Sequence, residues 1–267
     1  MALCDQSLPY IRAISPYQPG KPITELAREM GIPVERIVKL ASNENPLGMS
    51  PKAKGALEKA IATLERYPDD FGLKKALADH TGLGMAQIVL GNGSNDVLDL
   101  IARVFLAPKR SAIFAQYAFA VYPLASLSAG AELIAVPAKD YGHDLDAMLG
   151  ALRSDTRLIW IANPNNPTGT FLPYPQLKTF LQAVPPEVVV VLDEAYNEYL
   201  PVAERVDTAT WLAEFANLVI TRTFSKIYGL AGLRIGYAMA SPEIADLMNR
   251  VRQPFNCNNL ALSLIHI

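Results

Sequence analysis

Cysteine is scarce in this sequence of 267 residues: Cys4 and Cys257 stand near opposite ends of the chain. Such a pair makes no disulfide scaffold and suits a reducing compartment. Histidine occurs three times, as His80, His143 and His266, without the short spacings of zinc ligands; helix-face, loop and chain-end positions describe them better than a metal site. Charge of one sign is also lacking. Lys and Arg number 24 against 26 Asp and Glu, a net charge of −2, so the basic field needed for non-specific binding to nucleic acid or an anionic membrane is missing. The N-terminus, Met1-Ala2-Leu3-Cys4-Asp5, carries an early acid and no basic stretch before an apolar run, unlike a signal peptide. One charge-free stretch, residues 111–131, is long enough to cross a bilayer, but Gln116, Tyr117, Tyr122, Pro123, three serines and Gly130 interrupt it. It is predicted to split into a short strand over 112–114 and an amphipathic helix. The expectation is a cytoplasmic protein with small-molecule partners, and neither nucleic acid nor membrane.

What is present is a globular composition, 51% hydrophobic and 19% charged. The length allows one large domain or two modest ones. From about Gln87 onward, short runs rich in β-branched residues (88–90, 112–114, 133–136, 158–162, 188–192, 218–220 and 235–239) alternate with segments of helical period. Leu177, Phe180, Leu181 and Val184 repeat at i, i+3, i+4 and i+7, as do Ile244, Leu247, Met248 and Val251. Strands apolar through their length, separated by one-faced helices, predict an α/β fold with a mainly parallel sheet covered on both sides. The earlier segment has another texture. Pro16, Pro19, Gly20, Pro22, Pro33, Pro46 and Pro51 punctuate short helical candidates at 23–30 and 52–63, which reads as an N-terminal arm.

Ligands of open α/β sheets collect where strands end, and four strand ends are unusual here. After Leu90 comes Gly91-Asn92-Gly93-Ser94-Asn95-Asp96 and then a helix with Val97, Leu98, Ile101 and Phe105 on one side. Free amides at such a helix start suit an anion, and an ordinary turn fits the stretch as well. After Ala162 comes Asn163-Pro164-Asn165-Asn166-Pro167-Thr168-Gly169, dense in uncharged hydrogen-bonding groups on a backbone stiffened by prolines. After Leu192, Asp193-Glu194-Ala195-Tyr196 puts a carboxylate at the mouth of a buried strand, either as a helix cap or as an ionised group that requires a cationic partner. The fourth is Thr221-Arg222-Thr223-Phe224-Ser225-Lys226, followed by Arg234. A partly desolvated lysine at such a place can bond to a carbonyl carbon, although most lysines are only surface charges.

Taken together, these residues match what pyridoxal 5′-phosphate requires: a lysine for its aldehyde, an acid at its ring nitrogen, donors for its phenolic oxygen, an aromatic face and an anion cup. In order and spacing, the Asn163–Gly169, Asp193–Tyr196 and Thr223–Lys226 segments with Arg234 resemble the fold-type I, aspartate-aminotransferase-like enzymes. Within them, Pro16-Tyr17-Gln18, the stretch 40–48, Arg66-Tyr67-Pro68-Asp69 and Ala231-Gly232-Leu233-Arg234-Ile235-Gly236-Tyr237 most resemble the histidinol-phosphate aminotransferases, over essentially the whole chain to about Leu262. The resemblance implies that Lys226 holds the cofactor and moves a proton between the substrate Cα and the cofactor C4′. It implies Asp193 at the ring nitrogen, Asn166 and Tyr196 at the phenolic oxygen, and Tyr117 stacked on the ring. Ser94, Asn95, Thr223, Ser225 and Arg234 would cradle the phosphate. It further implies a homodimer with shared sites, in which Tyr67 reaches the neighbouring subunit's substrate phosphate and Tyr17 and Asn43 line the substrate side; simple packing also accounts for these three.

The implied reaction is transamination between L-histidinol phosphate and 2-oxoglutarate in histidine biosynthesis. An aromatic-amino-acid aminotransferase or a threonine-phosphate decarboxylase would share most of the motifs. A non-catalytic cofactor-sensing regulator would add a DNA-binding segment ahead of motifs that here begin near Pro16. The expected division is an arm with part of a small domain (1–50), a cofactor-binding large domain (51–255) and the start of an interdomain helix (256–267). Residues 263–267 do not resemble the family's continuation into a small domain that carries an arginine for the substrate carboxylate. The chain is therefore expected to be a fragment, inactive in isolation.

Overall fold

Residues 3–264 are described by a computed structural model of the chain; Met1, Ala2 and residues 265–267, among them His266, lie outside the described residues. All seven apolar runs become strands of one sheet: β1 (Ile88–Gly91), β2 (Ser111–Ala115), β3 (Glu132–Val136), β4 (Thr156–Ala162), β5 (Val189–Asp193), β6 (Leu218–Thr223) and β7 (Gly236–Met239). Their spatial order is β1-β7-β6-β5-β4-β2-β3. Strands β2 to β6 pair in parallel, whereas β7 lies antiparallel to both β1 and β6. β1 therefore runs in the same direction as β6, and the carboxyl ends of all strands but β7 share one edge.

Ten α-helices accompany the sheet in the described residues. In chain order they are α1 (Pro9–Arg12), α2 (Ile23–Met30), α3 (Pro51–Ala60), α4 (Phe71–Thr81), α5 (Ser94–Phe105), α6 (Val121–Ser128), α7 (Leu145–Gly150), α8 (Tyr174–Ala183), α9 (Pro242–Val251) and α10 (Asn259–Leu262). Their starts follow local chemistry: Ser50 and Ser241 accept a backbone N–H one turn in, each with proline at the first helical position. The charge-free stretch divides as predicted into β2 and α6. Among the described residues no helix is long and apolar enough to cross a membrane.

The core has two faces because each central strand buries both sides. Along β5, Val190 and Leu192 join one cluster with Leu177 and Phe180 of α8, while Val189 and Val191 join the other with Leu98 and Ile101 of α5. This alternation is the period of two expected of a strand. It also sets the sides taken by the two acids after Leu192: Asp193 continues the face of Val191, and Glu194 the face of Leu192. The N-terminal arm crosses the shared edge. Asn45 Nδ2 donates to the Ile227 carbonyl at 2.6 Å, and Gly229, at φ +68, presses so closely on the Gly48 carbonyl that a β-carbon would collide with it.

Candidate functional site

A cavity of about 730 Å³ opens at the carboxyl ends of β4, β5 and β6, closed on one side by residues 42–44 of the arm and on another by the start of α5. Lys226, Asp193, Asn166, Tyr196, Ser94, Asn95, Thr223, Ser225, Arg234, Tyr17 and Asn43 all line it. Residues up to 217 positions apart in the sequence, Tyr17 and Arg234, thus converge on one space.

Lys226 is half-buried, and its Nζ donates to the Ser42 carbonyl at 2.9 Å while lying 5.5 Å from the centre of the Tyr196 ring. Burial, and then the nearby positive charge of Arg234, lower its pKa from that of a free lysine. The amine therefore becomes neutral, and nucleophilic, at a lower pH than a surface lysine does.

Asp193 is 5% exposed. Its Oδ2 accepts from the Tyr122 hydroxyl at 2.8 Å and its Oδ1 from the Ala195 amide at 3.2 Å. Burial pushes its pKa up against the opposing pull of Tyr122, Thr221, the Ala195 amide and the Lys226 charge. The cationic partner expected for it is not there: among the described residues no cation forms an ion pair with Asp193. The partnered carboxylate is the next one, Glu194, whose Oε2 lies 2.8 Å from Arg222 Nη2 and 2.9 Å from its Nε, on the opposite face of the sheet. A buried carboxylate that faces a cavity with only neutral donors behind it fits a ligand bringing a positive charge, as a protonated pyridine nitrogen does.

The opposite end of the cavity suits an anion. Gly93, at φ +86, caps α5 without any side-chain cap, so the first amides of the helix point outward. Arg234 reaches back across this turn, and its Nη1 donates to Ser225 Oγ at 3.2 Å. The Thr223 hydroxyl is taken up by backbone, accepting the Ser225 amide at 3.1 Å, so it shapes the turn. A β-carbon on Gly93 would collide with the Arg234 guanidinium, a cradle that only glycine leaves open. Gly93→Ala is accordingly expected to add about 1–3 kcal/mol of backbone strain and, by displacing Arg234, to weaken pyridoxal 5′-phosphate binding about tenfold or more. Titration of the apoprotein with the cofactor checks this, and unchanged affinity would refute the assignment of the cup.

Between these ends, the Tyr196 hydroxyl accepts from Asn43 Nδ2 at 3.0 Å and from Asn166 Nδ2 at 3.2 Å, and burial raises its pKa. With both amides donating to it, the phenol is set up to donate its own proton onward. The other asparagines of the motif are structural: Asn163 bridges the Leu172 backbone by two bonds, and Asn165 donates to the Tyr117 carbonyl.

Two aromatic residues of the expected set stand outside the cavity. Tyr117 does not line the cavity; pinned through its carbonyl by Asn165, it is 41% exposed with its ring 5.7 Å from that of Tyr141. Besides Tyr17 and Tyr196, the rings that line it are those of Phe119 and Tyr122, neither of which the sequence pattern singles out. The only available signal was the turn from β2 into α6, which sets side-chain direction. Tyr67 also stands outside, 80% exposed and stacked on Phe255 at 4.5 Å. His143, expected in a loop, is buried and donates from Nε2 to the Ala162 carbonyl at 3.0 Å. Among the described residues no group of three or more His, Cys, Asp or Glu side chains could hold a metal.

The profile of the family aminotransferase class I and II matches residues 35–265. The chain is 74% identical over 263 residues to histidinol-phosphate aminotransferase 1 of Dechloromonas aromatica, an alignment covering 98% of this chain and 73% of that protein. Among solved structures, histidinol-phosphate aminotransferase from Sinorhizobium meliloti, in complex with pyridoxal 5′-phosphate, superposes with a TM-score of 0.88 at 30% identity, covering 97% of this chain and 70% of that one. L-threonine-O-3-phosphate decarboxylase from Porphyromonas gingivalis shares the fold less closely, with a TM-score of 0.75 at 26% identity over 86% of this chain and 68% of that one. The chain belongs to the class I and II aminotransferases and, within them, to the histidinol-phosphate aminotransferases.

Proposed function

We propose that this protein transfers the amino group of L-histidinol phosphate to 2-oxoglutarate, giving imidazole-acetol phosphate and L-glutamate, in histidine biosynthesis. The observation that carries this reading is the convergence of Lys226, Asp193, Asn166, Tyr196 and Arg234 on one cavity, in a chain 74% identical to a histidinol-phosphate aminotransferase. Bound pyridoxal 5′-phosphate supplies an electron sink for the pair left at the substrate Cα when its proton departs. Lys226 Nζ holds the cofactor at rest and carries that proton between Cα and C4′. Asp193 keeps the ring nitrogen protonated. Asn166 and the Tyr196 hydroxyl orient the phenolic oxygen. The amides of Ser94 and Asn95 with Ser225 and Arg234 bind the phosphate, while Thr223 supports the cup by holding the Ser225 turn. Phe119, a ring of the same turn that does line the cavity, takes the role expected of Tyr117.

Tyr17 and Asn43 line the substrate side. Tyr67, exposed and away from its own cavity, is assigned to the cavity of a second copy. A homodimer also accounts for the exposed Leu3, Leu8, Leu40, Leu47, Ile61 and Leu64 of the N-terminal segment. The working division is an arm with part of a small domain (1–50), a cofactor domain (51–255) and the start of a connecting helix (256–267), in a cytoplasmic protein. The full-length protein loaded with cofactor is to be mixed in turn with histidinol phosphate, phenylalanine and threonine phosphate. Conversion of the cofactor band by histidinol phosphate far ahead of the others is expected; preference for phenylalanine, or release of carbon dioxide from threonine phosphate, would overturn the substrate assignment.

A further inference from the structure

The phenol of Tyr122 has no part in the roles given above, yet it makes the shortest contact of the buried carboxylate. Tyr122 sits in the first turn of α6 with no exposed surface. Its hydroxyl donates to Asp193 Oδ2 at 2.8 Å. Its ring lies flat on Trp160 of β4, with centroids 5.2 Å apart and planes 5° apart, and meets the edge of Phe119 at 5.7 Å. Trp160 is tied in turn, its Nε1 donating to Ser126 Oγ at 3.0 Å one turn further along α6. A tyrosine held on one face by a tryptophan and on its edge by a phenylalanine has little freedom to withdraw its hydroxyl.

We infer that Tyr122 is a positioning residue for transamination, a neutral donor that holds Asp193 ionised and aims its charge at the cofactor nitrogen. This rests on the pyridoxal-phosphate reading proposed above. The physical argument turns on what the donor is. A carboxylate this buried tends to take up a proton, and a neutral carboxyl group could not hold a proton on the ring nitrogen. A lysine or arginine in place of Tyr122 would keep Asp193 ionised but cancel its charge, leaving nothing to attract the pyridinium. A phenol does the first without the second: it contributes a strong hydrogen bond to the anion and brings no charge. The titratable groups facing Asp193 are Tyr122 from α6, Tyr196 from the segment after β5 and Lys226 from the segment after β6. Burial and the charge of Asp193 push the Tyr122 phenol well above its ordinary range, so it remains a donor at neutral pH.

The test is Tyr122→Phe, which keeps the stack on Trp160 and removes only the hydroxyl. Its readout is the pH midpoint of the visible band of the cofactor-loaded protein, together with cofactor affinity by reconstitution of the apoprotein. With the ring nitrogen less firmly protonated, the nearby lysine–cofactor linkage holds its own proton longer, and the midpoint is expected to rise by about half a pH unit or more. Affinity is expected to fall about tenfold. A 3-fluorotyrosine at position 122, nearly isosteric and a stronger donor, is expected to shift the midpoint the other way, and decides the matter alone if the phenylalanine variant does not fold. An unmoved midpoint in a normally folded, cofactor-loaded variant overturns the inference while leaving the cofactor reading intact. Absence of any cofactor band in the parent protein overturns both.

Discussion

In the full-length protein, replacing Lys226 with alanine is expected to abolish the borohydride-trappable cofactor adduct and to lower turnover by about 10⁴-fold or more, since one side chain serves as both covalent anchor and proton carrier. Three observations support so large an effect. Among the described residues Lys226 is the only lysine lining the cavity. Its amine is partly desolvated and further discharged by Arg234, which lowers its pKa. The other cation of the cavity, Arg234, stays bonded to Ser225 and cannot act as a base near neutral pH. Stability should barely change: the bond from Nζ to the Ser42 carbonyl is solvent-exposed, and its loss is worth about 1 kcal/mol at most. Activity and borohydride labelling measured beside a melting curve therefore separate the roles, and turnover of the alanine variant within tenfold of the parent would reduce Lys226 to a surface charge.

The second large effect is on folding. Arg222→Ala leaves Glu194 fully buried with its ion-pair partner gone and only the Thr208 hydroxyl, at 2.7 Å, still donating to it. Breaking a buried pair in this way costs about 3–5 kcal/mol, a melting temperature lower by roughly 10 °C for a chain of this size. The loss should depend on pH with a definite sign. Burial raises the pKa of Glu194, and Arg222 opposes that rise; without Arg222 the folded-state pKa climbs further above the unfolded value. The folded variant then binds a proton that the unfolded chain has released, so its stability is greatest below the unfolded pKa and declines as pH rises towards the folded one. The gap between parent and variant in denaturant melts is thus expected to narrow from pH 7 to pH 5. A companion double variant, Glu194→Leu with Arg222→Met, should recover much of the loss because no charge remains buried. A gap that widens towards acid would contradict this account.

Much of this protein is legible in its sequence. Hydrophobic period alone locates the strands from β1 to β7, because each interior strand must be apolar on both faces to lie under two helical layers. The strand ends then point to the loops that matter, and the Asn-Pro, Asp-Glu-Ala-Tyr and Ser-Lys segments identify the chemistry and the family. Even the separation of Asp193 from Glu194 follows from the alternation along β5.

What the linear pattern leaves open is decided where the chain leaves regular structure. Asn163, Asn165 and Asn166 read alike, and only the folded loop turns Asn166 to the cavity while bonding the other two to Leu172 and Tyr117. Tyr117, Phe119 and Tyr122 are equally plausible partners for an aromatic ring, but the short connection from β2 to α6 directs the first outward and the other two inward. The same holds for charge. Asp193 and Glu194 are adjacent acids, and their opposite environments, neutral donors for one and an arginine for the other, are built by α6 and β6, which lie 71 and 28 residues away. Residue type and period are local properties that a strand or helix repeats, so sequence alone determines the fold class, the strand ends and the kind of chemistry. The direction of a side chain at a strand exit, and the partner waiting there, depend on elements far along the chain, so only tertiary structure decides which of several suitable residues is used.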